Sequence, residues 1–201
     1  MCIKLGGISV YITFSFAVFL AVAANIGGGR NLLLSFLFSF MHEAVHLIFL
    51  CFSGIKKAEI KLFPAGIKIC CEGMNLLSYR KTVLTALSAP VFNLIAGAVF
   101  LFLHKVSGNE IFYVCSAVNF ILGTINLLPL SFLDGGRTLE ALLCVRLSED
   151  RARRIMNILN IWTLAFLFLL FFIGFIAGKT QIFLLFFCVY CLTGTLSAKS
   201  K

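Results

Sequence analysis

Two histidines and a glutamate, in the order His42-Glu43-x-x-His46, are the residues of this sequence best suited to chemistry. They lie in an otherwise apolar run, Asn31 to Ser53, which is long enough to be a helix. Helical residues four apart are separated by about 40° in projection, so both imidazoles can reach one metal ion. Glu43 lies beside that face, where its carboxylate can accept a proton from a polarised water. A buried ion pair between helices is the alternative, but ionisable groups at membrane depth usually have a function.

The composition is that of a helical membrane protein. Of the 201 residues, 61% are hydrophobic and 12% are charged, and the mean hydropathy is +1.05. Long apolar runs recur along the chain, which predicts an all-α polytopic membrane protein with about six transmembrane helices. The net charge of +9 could suggest nucleic acid, but the basic residues lie in short stretches between apolar segments. This placement favours anionic lipid headgroups as a partner and argues against nucleic acid.

We predict one intramembrane domain over residues 1–201, with a catalytic core at about 31–136 and accessory spans within 1–30 and 149–201. The six spans are expected at about 9–26, 31–53, 82–103, 110–130, 155–177 and 179–198. Between the second and third spans, alternating apolar and polar residues at 57–71 predict a small β-hairpin at the membrane surface. The hairpin is either a structural cover or an edge strand to which an extended peptide can pair.

The distribution of basic residues predicts the orientation. Of the 17 Lys and Arg residues, 14 fall on the side shared by the two termini, the second loop and the fourth loop, against 3 on the other side. The positive-inside rule therefore predicts an integral membrane protein with both termini, the hairpin and the loop around Asp134 in the cytoplasm.

A third metal ligand is needed, because a catalytic zinc takes three protein ligands and keeps one position open for water. His104 is expected at the external end of its span, whereas His42 and His46 lie nearer the cytoplasmic end of theirs. Asp134 is the better candidate, since it follows the fourth span on the cytoplasmic side and precedes two glycines that permit a tight backbone. The remaining aspartate, Asp150, has an ordinary role at a helix start.

Together these residues resemble the site-2 protease family of intramembrane metalloproteases. The shared pattern is H-E-x-x-H in one span, Pro90 and Asn93 in the next, then Asn126-x-x-Pro129 followed by Leu133-Asp134-Gly135. The six-span layout is similar to that of the smaller bacterial members, which include a sporulation protease that releases a membrane-bound sigma-factor precursor. Phe132 stands where the family often has a second proline, so the loop is either less rigid or held by packing of this ring.

The resemblance implies zinc bound by His42, His46 and Asp134. It also implies that Glu43 is the general base, and that Asn126 contacts the substrate or stabilises the oxyanion.

The predicted function is that of an intramembrane zinc endopeptidase, which cleaves a transmembrane protein or a membrane-bound precursor near the cytoplasmic face. A regulatory membrane protein could be a further partner. Two alternatives remain. A zinc transporter would also place His and Asp at membrane depth, but it has no need of Glu43 beside His42. A catalytically inactive scaffold would be expected to have lost at least one of the four candidate residues, and all are present.

Overall fold

The computed structural model describes residues 2–5, 8–12, 29–54, 58–63, 66–71, 77–177 and 182–199. Its helices are α1 (Gly29–Phe52), α2 (Tyr79–Ser107), α3 (Glu110–Asn126), α4 (Asp134–Arg146), α5 (Glu149–Ile176) and α6 (Ile182–Lys199). Its strands are β1 (Cys2–Leu5), β2 (Ile8–Ile12), β3 (Ala58–Phe63) and β4 (Gly66–Cys71). The chain divides into two compact units, Met1–Ile125 and Asn126–Lys201.

Within the described residues, three helices are long and apolar enough to cross a membrane: α1, α2 and α5. They have 24 to 29 residues, and a rise of about 1.5 Å per residue makes each longer than the roughly 30 Å hydrocarbon core. The apolar helix α3 is shorter, with 17 residues. The expected second, third and fifth spans coincide with the three long helices, while the count of six spans stays a prediction.

The four strands form one sheet in the order β1-β2-β3-β4. β3 and β4 pair antiparallel, with Ala58 opposite Cys71 and Phe63 opposite Gly66, inside the segment where the hairpin is expected. β1 pairs antiparallel with β2, which pairs parallel with β3.

The expected start of the first span at Ser9 is wrong, because Ile8–Ile12 is a strand. Its β-branched and aromatic residues suit a strand, whereas hydropathy alone does not separate a short apolar strand from a helix. The rest of that expected span, residues 13–28, lies outside the described residues.

In the first unit, α2 and α3 approach closely at small residues. A Cβ on Gly123 would lie 3.1 Å from the carbonyl oxygen of Pro90, and Ser116 Oγ donates a hydrogen bond of 2.8 Å to the Gly97 carbonyl. Small residues and interhelical hydrogen bonds are the usual means of joining helices in a membrane. α3 therefore supports the turn of α2 around Pro90.

The second unit buries its core around the loop 127–133, which precedes α4. Leu130 and Leu133 of this loop pack with Leu167 of α5 and with Cys188 and Cys191 of α6. Backbone without a helical hydrogen-bond ladder is tolerated at membrane depth only where protein or water covers it. α5 and α6 supply that cover for this loop.

Candidate metal centre

α1 carries His42 and His46 on one face, as the four-residue spacing predicts. Their ring centroids are 4.8 Å apart and the rings are nearly perpendicular. The side chain of His42 is 4% exposed, and those of His46 and Glu43 are half-buried. The two imidazoles are thus neighbours on a helix whose other residues are almost all apolar, with a carboxylate next to the first of them.

Helix α2 orients both imidazoles. Nδ1 of His46 lies 2.8 Å from the backbone carbonyl oxygen of Thr85. A carbonyl can only accept, so this Nδ1 carries the proton. Nδ1 of His42 lies 3.3 Å from Oδ1 of Asn93 and donates in the same way. Both rings then have their lone pair on Nε2, the tautomer that hydrogen-bonded metal-ligating histidines adopt.

Two residues of α2, Asn93 and Thr85, accept hydrogen bonds from the histidines of α1. Asn93 is fully buried, and a buried amide in a membrane helix is costly unless it is paired. Its oxygen accepts the proton of His42. Pro90 lies one turn earlier and removes a backbone donor from that turn. The carbonyl of Thr85 accepts from Ser88 Oγ at 2.7 Å as well as from His46.

In the second unit, Asp134 is the first residue of α4, and its side chain is 6% exposed. The helix dipole stabilises an anionic carboxylate at this position. The two following residues must be glycines, because the backbone of the preceding loop lies close to them. A Cβ on Gly135 would collide with the carbonyl of Leu127, and one on Gly136 with the carbonyl of Leu130. The sequence-based expectation of a tight backbone at these glycines is confirmed.

Among the described residues, His42, His46 and Asp134 are a group that could hold one metal ion. Two imidazole nitrogens and one carboxylate oxygen match the ligands of catalytic zinc sites, which keep a fourth position for water. Thr138 follows Asp134 by one helical turn, and its Oγ1 is buried without a hydrogen-bond partner in the described part of the chain. This buried hydroxyl, one turn after Asp134, therefore also fits a bound ligand.

Comparison with known proteins identifies the relatives of this chain. The family model of peptidase family M50 matches residues 104–170, which include Asn126 and Asp134. A zinc metalloprotease of Methanocaldococcus jannaschii is 27% identical over 152 residues, covering 70% of this chain and 44% of that protein. The site-2 protease from Methanocaldococcus jannaschii has the same fold, with a TM-score of 0.68, 22% identity, and coverage of 98% of this chain and 94% of that chain. The resemblance to the site-2 proteases is confirmed.

The chain spans less than half the length of the curated relative, 44%. The family match begins at residue 104, so it does not include the H-E-x-x-H motif. The likeness to the site-2 protease structure, in contrast, covers nearly the whole chain. The site-2 protease fold therefore includes both α1, with the two histidines, and α4, with the aspartate.

His104 lies at the far end of α2, where its Nδ1 is 3.1 Å from the backbone oxygen of Asn109. It follows Asn93, the partner of His42, by three helical turns, which is about 16 Å along the axis. Among the described residues, it is not part of the group that could hold a metal ion. That His104 is not a metal ligand stays a prediction.

Two catalytic roles remain predictions. Glu43 is half-buried on α1, and Asn126 is half-buried at the last residue of α3. Their places in the sequence match the site-2 protease pattern.

The loop before Asp134 is held by packing of Phe132, the second of the two expectations for this residue. Its ring meets that of Tyr190 edge-on, with centroids 5.7 Å apart. A Cβ on Gly194 would lie 2.8 Å from the same ring, so the glycine leaves the space that the ring fills. α6 thereby supports the loop where the family often has a proline.

Sequence reasoning missed Asn160, whose side chain makes two hydrogen bonds to Ser131 in this loop. The available signal was a polar amide in the expected fifth span, where an unpaired amide is costly. Gly194 was missed as well, because its role depends on a ring more than sixty residues away.

Proposed function

We propose that the chain is an intramembrane zinc endopeptidase that acts on membrane-embedded or membrane-bound protein substrates. The observation that carries this proposal is the orientation of the two histidines. Both Nδ1 atoms are engaged by α2, so in both rings the lone pair is on Nε2, the tautomer in which hydrogen-bonded histidines ligate a metal. Purely structural histidines would not need Glu43 beside them, and the relatives include a zinc metalloprotease.

The metal would be held by His42, His46 and Asp134, and zinc supplies a Lewis acid that lowers the pKa of a bound water towards 7. Glu43 directly follows His42 in the chain, so its carboxylate is placed beside the proposed centre, where it could accept a proton from a polarised water.

The remaining steps belong to side chains of this protein. Glu43 accepts a proton from the attacking water and passes it to the leaving amine, the usual task of a general acid–base. The side-chain amide of Asn126 donates a hydrogen bond to the scissile carbonyl oxygen as negative charge develops there. These are the proposed roles of Glu43 and Asn126, the two residues predicted to be catalytic.

A substrate must present an extended segment, because a helix keeps its carbonyl groups in internal hydrogen bonds. β4 is an outer strand of the described sheet, so its free edge could pair with such a segment. We therefore assign the hairpin the role of substrate strand acceptor rather than that of a cover alone.

The proposed orientation has both termini in the cytoplasm, as the distribution of basic residues predicts. α1 then runs inwards, and His46 precedes its last residue, Phe52, by six positions. At 1.5 Å per residue the metal would lie roughly 10 Å below the cytoplasmic surface.

The proposed substrates include membrane-bound precursors such as that of a sigma factor. A second membrane protein could regulate the cleavage.

Cleavage by the purified protein in lipid vesicles tests the proposal, with single-span proteins and a membrane-bound sigma-factor precursor as substrates. We expect a cut in the cytoplasmic third of the substrate span or just outside it, with the new terminus mapped by mass spectrometry. A zinc chelator should abolish cleavage, zinc should restore it, and magnesium, which prefers oxygen ligands, should not.

Chelator-resistant cleavage would refute the role of zinc. A cut in the external half of the substrate span would refute the proposed orientation.

A further inference from the structure

We propose that Asn160 is a positioning residue for the metal ligand Asp134, acting through Ser131. The inference rests on the proposed metal centre, but the contacts that carry it all lie within the second unit. Asn160 is on α5, a candidate membrane span, and its side chain is 5% exposed. A buried amide at such a position is costly unless it is paired, so its partners indicate its use.

Both polar atoms of this amide are directed at one residue. Oδ1 of Asn160 accepts a hydrogen bond of 3.0 Å from the backbone N–H of Ser131. Nδ2 of Asn160 donates one of 2.8 Å to Ser131 Oγ. Two bonds to a single residue fix its orientation as well as its distance. Asn160 thus fixes the backbone of Ser131, three residues before Asp134.

The backbone of Ser131 is coupled to the start of α4 by close packing. A Cβ on Gly136 would collide with the Leu130 carbonyl and would lie 2.7 Å from the Ser131 nitrogen. Leu133 N donates to the Leu130 carbonyl at 2.8 Å, which closes the loop into a tight turn. A shift of Ser131 must therefore displace the first turn of α4, and Asp134 with it.

The same helix offers a matched control. Asn157 lies one turn earlier on α5 and is half-buried, and it makes no hydrogen bond to the loop in the part of the chain that the structure describes. Asn160→Leu and Asn157→Leu replace the same amide by the same apolar side chain in the same helix. Only the first removes the contacts to Ser131, so a difference between the two variants reports those contacts.

The test measures zinc affinity by chelator competition on purified protein in detergent. Removal of a group that hydrogen-bonds a metal ligand directly typically weakens metal binding by about 10–100-fold. Asn160 acts less directly, through Ser131, so for Asn160→Leu we expect a loss at the lower end of this range, about 10-fold. Asn157→Leu should bind zinc like the wild type. Asn160→Asp should also remain close to the wild type, since a carboxyl group can accept from the Ser131 N–H and pair with its hydroxyl group.

A second measurement uses the metal-free protein, so that it does not depend on zinc. Hydrogen–deuterium exchange of the peptide that contains Ser131 should be faster in Asn160→Leu than in Asn157→Leu, and unchanged in Asn160→Asp. Equal zinc affinity and equal exchange in the two leucine variants would refute the inference, as would an Asn160→Asp protein that is as impaired as Asn160→Leu. A wild-type protein that binds no zinc would instead refute the proposed function.

Discussion

Glu43→Gln is expected to retain a full equivalent of zinc and to lose nearly all cleavage. Glu43 is outside the group His42, His46 and Asp134 that could hold the metal, so its replacement leaves the donor atoms intact. Glutamine has nearly the same size but cannot accept a proton from water. General acid–base catalysis typically contributes about 10²–10⁴-fold, and the loss of cleavage rate should be of that order.

The measurement pairs metal content with initial rates on the same preparation. Glu110→Gln is the matched control, because Glu110 is an exposed residue at the start of α3 and its replacement removes the same charge away from the motif. It should keep both zinc and activity. A Glu43→Gln protein with full zinc and unchanged proteolysis would remove Glu43 from the mechanism.

Asp134→Ala is expected to lose zinc as well as activity, in contrast to Glu43→Gln. It removes one of three protein ligands, so zinc affinity should fall by more than the roughly 10–100-fold typical of outer-shell partners. Asp134→Asn keeps the size of the side chain beside the tight loop, so it removes the charged ligand without removing packing. We expect this variant to bind zinc weakly as well.

His104→Ala is the control for this series, since His104 lies at the far end of α2 and pairs with Asn109. Its zinc content and cleavage rate should match those of the wild type. Zinc that is lost in His104→Ala and kept in Asp134→Ala would show that the ligand assignment is wrong.

The parts of the site that the sequence predicts are those set by local spacing. Residues four apart share a face of any helix, so the pairing of His42 with His46 needs no tertiary information. The two glycines after Asp134 likewise mark a close backbone approach in any fold that places this aspartate at a helix start. Helix α1 and the candidate ligands could therefore be identified before the structure.

The contacts that the sequence could not predict join distant segments. Asn160 and Ser131 are 29 residues apart, and an apolar span with one amide does not say which backbone it holds. The strand Ile8–Ile12 pairs in parallel with Ala58–Leu62, across a separation that includes α1. Hydropathy identifies the apolar segments that contain Asn160 and Ile8–Ile12. It does not identify the residues that pair with them, because those are set by the fold.

X-ray absorption at the zinc edge of the purified wild-type protein measures which atoms bind the metal, and so tests whether the centre is formed by two histidines and an aspartate. We expect only nitrogen and oxygen donors at about 2.0–2.2 Å, with the multiple scattering of two imidazoles. The chain has eight cysteines, so zinc could instead be held by thiolates. A sulfur shell near 2.3 Å, or fewer than two imidazoles, would contradict a centre formed by His42, His46 and Asp134.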